Sequence, residues 1–465
     1  MDYEREGEST AVRDCCNSFI YILSLSLKDS MSEESDEKLG LNASWSMAVG
    51  GMIGGGIFSV LGVVILISGQ WAWLSFVIAG IIALATAHSY SLLAEKYPER
   101  GGAFVYLRRS NHKEMAGNLA WILIVGYILT ISVYAFTFGH YLAYSLGLGG
   151  WFPRFTALAI VTVLVGVNLM GISESADLQI FTVWAKVIIL LILAALGLML
   201  WNPPLLSQGI PEHGMETPLV GAASVFMAYE GFQLLAYDYQ VMKNPRKTFP
   251  LSIMLAVLVV AIIYVAVTLG ATMLIGPQAI IDNKEVALSV AGQKALGTGG
   301  LILATTAAMF STASAINATL FATARLAQKV SEEGELPTSL KKRDKRGLPR
   351  RSIILIGAGG AILSVSGSLS GLVESASLVF LFLFAVVNLL AFKESKKRRL
   401  ISLIGVIGAT SAALVLMWRF LTTAPELLCI LSLMILGTVL GRRFVRKEAK
   451  EIDEMVEEIS EELQN

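Results

Sequence analysis

The residues of this sequence that could do chemistry are few, and they stand inside long apolar stretches. Gly50, Gly51, Gly54, Gly55 and Gly56 fall within the run Gly-Gly-Met-Ile-Gly-Gly-Gly. Each glycine weakens a helix interior by about 1 kcal/mol relative to alanine. Two readings of the run stay open. Small residues let two helices approach closely. Alternatively the run is unwound, and the half-helix that follows turns free N–H groups and its positive dipole end toward an anion such as a carboxylate. Glu230 stands beside Gly231 in Phe226-Met227-Ala228-Tyr229-Glu230-Gly231-Phe232-Gln233. There it could pair with a buried cation, carry a proton, contact a cationic ligand or cap a broken helix. Lys186 lies in Trp184-Ala185-Lys186-Val187-Ile188. It either holds backbone carbonyls for structure or acts as a group whose charge stands where a bound cation would otherwise sit.

These residues need elements to position them. The chain has 465 residues, 55% of them hydrophobic and 15% charged, with a mean hydropathy of +0.65. Ordinary soluble proteins carry about 25% charged residues. That excludes a soluble multi-domain enzyme, which would need more charge to cover its surface. The 36 basic residues balance the 36 acidic ones, so a general nucleic-acid binder is excluded too. Twelve apolar stretches follow one another at about 41–66, 71–94, 117–146, 154–171, 177–201, 217–241, 250–276, 297–324, 352–368, 371–392, 400–419 and 424–441. Each approaches the roughly 20 residues that span a bilayer as a helix. Backbone groups in lipid must be satisfied internally, and long apolar runs do this as helices, not as the alternating strands of a barrel. The fold class is therefore an all-α membrane protein. Residues 1–38 form an N-terminal tail, 39–441 the membrane domain and 442–465 a charged C-terminal helix.

Lys186 lies about nine residues into the fifth stretch, roughly 13 Å deep at 1.5 Å per residue. A cation at such depth costs about 3 kcal/mol or more. Glu230 lies near the middle of the sixth. Interruptions in the first and sixth spans are what an inverted repeat of five plus five helices produces, with the binding site between them. Asp238, His140 and Glu374 lie nearer span ends. His88, inside a span, has no second ligand nearby.

Basic residues orient the chain. If the N-terminal tail is cytoplasmic, 31 of the 36 lysines and arginines fall on the cytoplasmic side, and Arg154, Lys284, Lys294 and Arg419 fall outside. Both termini are then cytoplasmic. The apolar run Phe19–Leu27 is too short to span. Ile452, Val456, Ile459 and Leu463 repeat at helical spacing, as a solvated or partner-binding helix would. Cys15, Cys16 and Cys429 have no metal spacing, and the four histidines are scattered. No metal or cofactor is implied. There is no G-x-S-x-G, H-E-x-x-H or P-loop, so the chain does not read as an enzyme.

Four stretches carry a family resemblance. Gly51-Met-Ile-Gly-Gly-Gly-Ile-Phe58 resembles the G-x-x-G-[SG]-G-[IV]-F signature in the first helix of amino acid–polyamine–organocation (APC) transporters. Tyr90 to Tyr106, with Leu93-Ala94-Glu95, Tyr97-Pro98 and Gly101-Gly102, is similar to the stretch after their second helix. Val225 to Pro250, with Lys243-Asn244-Pro245-Arg246-Lys247, resembles their sixth helix and the loop after it. Arg325 to Pro337, with Glu333-Gly334, is similar to the end of their eighth.

The resemblance implies a LeuT-type fold, with helices 1–5 and 6–10 as inverted repeats and two helices appended. It implies that the amides of Gly54, Gly55 and Gly56 bind a substrate α-carboxylate. It implies that main-chain carbonyls of Met52, Ile53, Met227, Ala228 and Glu230, around Gly231, bind the α-amine. Phe226 or Met227 falls where an aromatic gate is common, and Gly55 replaces a serine found in many members. Lys186 resembles a fifth-helix lysine of the proton-coupled and some exchanger branches, which takes the place of a sodium ion, with Ser311 and Ser314 as candidate neighbours. The implied function is proton-coupled amino acid uptake across the plasma membrane. The alternatives are an exchanger, a carrier of cationic amino acids or polyamines with Glu230 contacting the extra charge, or a membrane-embedded amino acid sensor. The expected partners are an amino acid, protons and the lipid bilayer.

Overall fold

The computed structural model describes residues 38–171, 176–395 and 398–462. Cys15, Cys16, the run Phe19–Leu27 and the side chains of the 452–463 stripe lie outside the described residues. The structure is helical. Among the described residues the only bridge between extended segments joins Leu39 and Met242.

The first span is two helices, α1 (Leu41–Met52) and α2 (Gly56–Ser68), separated at Ile53–Gly55. Gly69, at φ 51°, ends α2 and turns the chain into α3 (Ala72–Lys96). A short helix, α4 (Gly102–Arg109), leads to α5 (Lys113–Ser145). Then come α6 (Phe152–Leu169) and α7 (Ala176–Met199). The sixth span opens as α8 (Thr217–Ser224) and continues, after a 57° bend, as 3₁₀ turns over Phe226–Tyr229 and Phe232–Val241. The remaining helices are α9 (Pro245–Asp282), α10 (Ala287–Glu332), α11 (Arg350–Ser366), α12 (Leu369–Glu394), α13 (Arg399–Thr423) and α14 (Pro425–Glu462).

Nine helices among the described residues are long and apolar enough to cross a bilayer, or ten with the bent sixth span counted as one. The run Leu41–Lys96 contains two of the expected spans, and α11, at 17 residues, supplies the last. One difference from the hydropathy reading concerns residues 277–296, which lie between apolar stretches and are nevertheless helical except for a turn at 283–286. Gly276 (φ 76°) and Gly297 (φ 63°) reverse the chain there. Pro277 then starts a new turn, where its missing N–H costs nothing.

The layering follows hydrophobicity. The first, second and third spans and α12 are mostly buried, whereas α6, α7, α13 and α14 turn most of their apolar surface outward. Inside the bundle, polar side chains pair across helices instead of reaching water. Ser59 meets Thr137 at 2.8 Å, and Asn168 donates to Asn317 at 2.6 Å. In hydrocarbon such pairs avoid the cost of an unsatisfied polar group.

The loop groups formed by the basic-residue count also meet in space. Lys96 pairs with Glu394, Arg108 with Glu333 at 2.5 Å, and Arg442 with Glu335 at 2.7 Å. At the other end Arg419 donates to Glu374 at 3.1 Å, and His213 accepts from Gln70 and Trp71. Residues assigned to one side are therefore neighbours on one side.

Candidate functional site at two broken helices

The first break is held open by close packing, so both readings of the glycine run apply to it. A Cβ on Gly51 would meet the Gly231 backbone at 3.0 Å. One on Gly54 would strike Ala315, one on Gly55 the ring of Tyr134, and one on Gly56 the Tyr264 hydroxyl. Four elements, α5, the sixth span, α9 and α10, thus press on four glycines within six residues. Gly55, at φ −136° and ψ −10°, caps α2 without any side-chain hydrogen bond. The first N–H groups of a helix have no intrahelical partner. Those at Gly56 and just beyond point into the break, at the positive end of the α2 dipole.

The second break lies opposite. Glu230 is extended at ψ 149° and Gly231 has φ 120°, a conformation that suits glycine alone. Ser377 of α12 bridges the gap by donating to the Ser224 carbonyl at 2.8 Å and accepting from the Met227 amide at 3.0 Å. The Met227 carbonyl accepts from the Glu230 amide at 2.9 Å. Phe226 is packed edge-on against Phe384, with centroids 5.7 Å apart.

The two breaks converge on one side chain. The Tyr264 hydroxyl of α9 lies 2.8 Å from the Met52 carbonyl and 2.9 Å from that of Ala228. One hydroxyl has one hydrogen, so these two acceptors share a single donor. Either carbonyl keeps capacity for a further donor such as an ammonium. Ser311 donates to the Ile53 carbonyl at 2.5 Å. The carbonyls of Met52, Ile53 and Ala228 therefore cluster around the break, each already met by a side-chain hydroxyl. Met52, Ile53, Phe226, Met227 and Ala228 are fully buried and Glu230 is 1% exposed, so the site is closed to water.

Lys186 is 3% exposed and donates to the Gly50 carbonyl at 3.3 Å. That carbonyl belongs to the last turn of α1, whose free carbonyls carry the negative end of the helix dipole. Ser314 sits half-buried three residues beyond Ser311, on the same helix. Lys186 from α7 and Ser311 from α10 thus each donate to a carbonyl at the first break, those of Gly50 and Ile53. Asp238 lies at the end of the sixth span, and His140 stacks on Phe136 at 4.0 Å. No group of three or more metal-ligating side chains forms among the described residues.

Tyr134, Tyr264, Ser377, Gln233 and Thr130 belong to the site and were not singled out by motif. Tyr134 is buried and its hydroxyl has no partner among the described residues, while its ring covers Gly55. A tyrosine or serine alone in an apolar span has no spacing to flag it. The available signal was only that a polar atom at such depth needs a partner.

Residues 39–440 match the family described as amino acid permease. An uncharacterized protein of Methanocaldococcus jannaschii is 28% identical over 364 residues, covering 77% of this chain and 82% of its own. The inner membrane transport protein YbaT of Escherichia coli is 28% identical over 368 residues, covering 77% of this chain and 84% of its own. The branched-chain amino acid permease BcaP of Bacillus subtilis is 28% identical over 384 residues, covering 76% of this chain and 80% of its own. The matched region takes in both broken spans, Lys186 and every helix packed against them, and the chain belongs to the amino acid permease family.

Proposed function

We propose that this protein is a secondary active transporter that carries amino acids across the cell membrane by alternating access, in symport with protons. The amides of Gly54, Gly55 and Gly56 hold the substrate carboxylate. The carbonyls of Met52, Ile53 and Ala228, with those of Met227 and Glu230 beside Gly231, receive the amine. Two of these carbonyls already converge on one hydroxyl, which fits a site for an ammonium group. Substrate chemistry is supported by the family match and by a relative whose name is that of a branched-chain amino acid permease. Residues 39–441 carry the transport. Both tails, 1–38 and 442–465, face the cytoplasm on the strength of the basic-residue asymmetry.

The observation that carries the coupling is the contact of Lys186 with the Gly50 carbonyl, at the edge of the glycine break. A charged lysine ties α7 to the last turn of α1, and a neutral one holds it less tightly. Proton release from Lys186 therefore frees α1 to tilt with the sixth span. Ser311 holds the Ile53 carbonyl of the same break, with Ser314 three residues along the helix. A bound sodium ion beside Lys186 would place two cations in one low-dielectric site, which repels it.

The test is uptake by purified protein in liposomes under an imposed pH gradient. Gradient-driven accumulation supports the reading. Flux that requires an amino acid on the far side, with no response to the gradient, would make it an exchanger. Ligand binding without net flux would make it a sensor.

A further inference from the structure

At the break of the sixth span the backbone ladder changes step. Val225 donates four residues back, to the Gly221 carbonyl at 3.0 Å, whereas Ala228 and Glu230 donate three residues back, to Val225 and Met227 at 2.9 Å. The Met227 amide and the Ser224 carbonyl fall at the change, and both residues are fully buried. Ser377 of α12, itself fully buried, takes both groups. Its hydroxyl accepts from the Met227 amide at 3.0 Å and donates to the Ser224 carbonyl at 2.8 Å. An amide only donates and a carbonyl only accepts, so neither bond can be reversed. One hydroxyl thus replaces a missing rung of the helix, where buried backbone groups need a partner.

The helix that carries Ser377 is held on both sides of it. One turn before, Glu374 accepts from Arg419 of α13 at 3.1 Å, and three turns beyond, Asn388 donates to Thr86 of α3 at 2.8 Å. Phe384 lies on the same face of α12 as Ser377, seven residues on, and packs against Phe226 and Phe232. The turn Phe226–Tyr229 is therefore pinned near its start by Ser377 and near its end by Tyr264, whose hydroxyl meets the Ala228 carbonyl at 2.9 Å. The tenth span meets the sixth as the fifth meets the first, where Lys186 donates to Gly50. Two repeats of five helices would pair them in this way.

We propose that Ser377 is a positioning residue for the substrate amine, a role that rests on the transport reading above. It acts through the backbone of residues 224–228 and not by touching the substrate. By fixing the Met227 amide it sets the direction of the Met227 and Ala228 carbonyls, which receive the amine. Every amino acid presents the same amine, so the effect of Ser377 is independent of the substrate side chain.

The test uses full-length protein in liposomes. Ser377→Ala, and Ser377→Cys with its weak donor, should raise KM about tenfold with kcat nearly unchanged, and by the same factor for alanine and leucine. Ser377→Thr keeps the hydroxyl and should stay near the wild-type KM. An unchanged KM in Ser377→Ala, with only kcat and melting temperature lowered, overturns the proposal, because a merely structural serine loses folded protein and not affinity. So does a KM rise confined to one substrate, which would make Ser377 a side-chain contact. Should neither hydroxyl-free variant fold, the wild type carries the test. Its Met227 amide, read by hydrogen exchange, should exchange slowly and slow further when alanine or leucine binds. Exchange that the bound amino acid leaves unchanged overturns the proposal. If the wild type neither moves nor binds an amino acid, the transport reading fails and the amine role with it, whereas faster Met227 exchange in Ser377→Ala still shows the bond across the break.

Discussion

Lys186 donates to the carbonyl of Gly50 across 3.3 Å, joining the middle of α7 to the end of α1. Both residues are in spans that sequence separates by more than a hundred positions. The contact gives the first break a charged latch beside it, and its removal should be felt at the break before it is felt elsewhere.

Lys186→Ala should therefore abolish accumulation driven by a pH gradient. The protein should still fold, because the substitution removes a buried cation and leaves a carbonyl at a helix end. Uptake in liposomes with and without the gradient checks this, and gradient-driven uptake at the wild-type level would refute the coupling role.

Gly55 and Tyr134 give a second prediction. Any side chain at Gly55 drives into the Tyr134 ring, so Gly55→Leu should abolish amino acid binding. Unchanged affinity would refute the carboxylate site. Tyr134→Phe separates binding from folding. Removing a buried hydroxyl without a partner should leave stability equal or slightly higher. If that hydroxyl meets the ligand, affinity should fall by about tenfold, or about 1.4 kcal/mol. Thermal shift with and without ligand reads both quantities, since a bound ligand raises the melting temperature.

Tyr264→Phe should act in the opposite sense. It removes the donor shared by the Met52 and Ala228 carbonyls and leaves both buried without it. The expected loss is about 1–3 kcal/mol of stability. Because those carbonyls lie at the proposed amine site, bound amino acid should recover part of the loss, a difference that melting curves with and without ligand would reveal.

The loop before α11 should respond to pH. Asp344 accepts from the Leu348 amide at 2.9 Å and the Arg346 amide at 2.8 Å. Those two amides, with Arg350 and Arg346 nearby, hold its carboxyl below the usual carboxylate range. A carboxyl lowered on folding contributes order above its unfolded pKa and loses it as pH falls through the folded one. Amide exchange at Leu348 should therefore quicken on acidification below the usual range, and Asp344→Asn should flatten that response.

Hydropathy and charge by themselves determined much of this protein. The twelve spans, the break at Gly50–Gly56 and the depth of Lys186 and Glu230 were legible because the cost of placing a residue in hydrocarbon depends on that residue and a few neighbours. The family motifs likewise lie in continuous runs. The helical turns within 277–296 were missed because Asp282, Asn283, Lys284 and Glu285 interrupt the apolar run there, and only Gly276 and Gly297 mark where the chain reverses. What the tertiary structure alone decided is which polar atoms share a partner. Tyr264 reaching Met52 and Ala228, Ser311 reaching Ile53 and Thr130 reaching Glu230 are contacts between distant spans. No local period encodes them, because a single polar side chain in an apolar helix is defined by the surface packed against it.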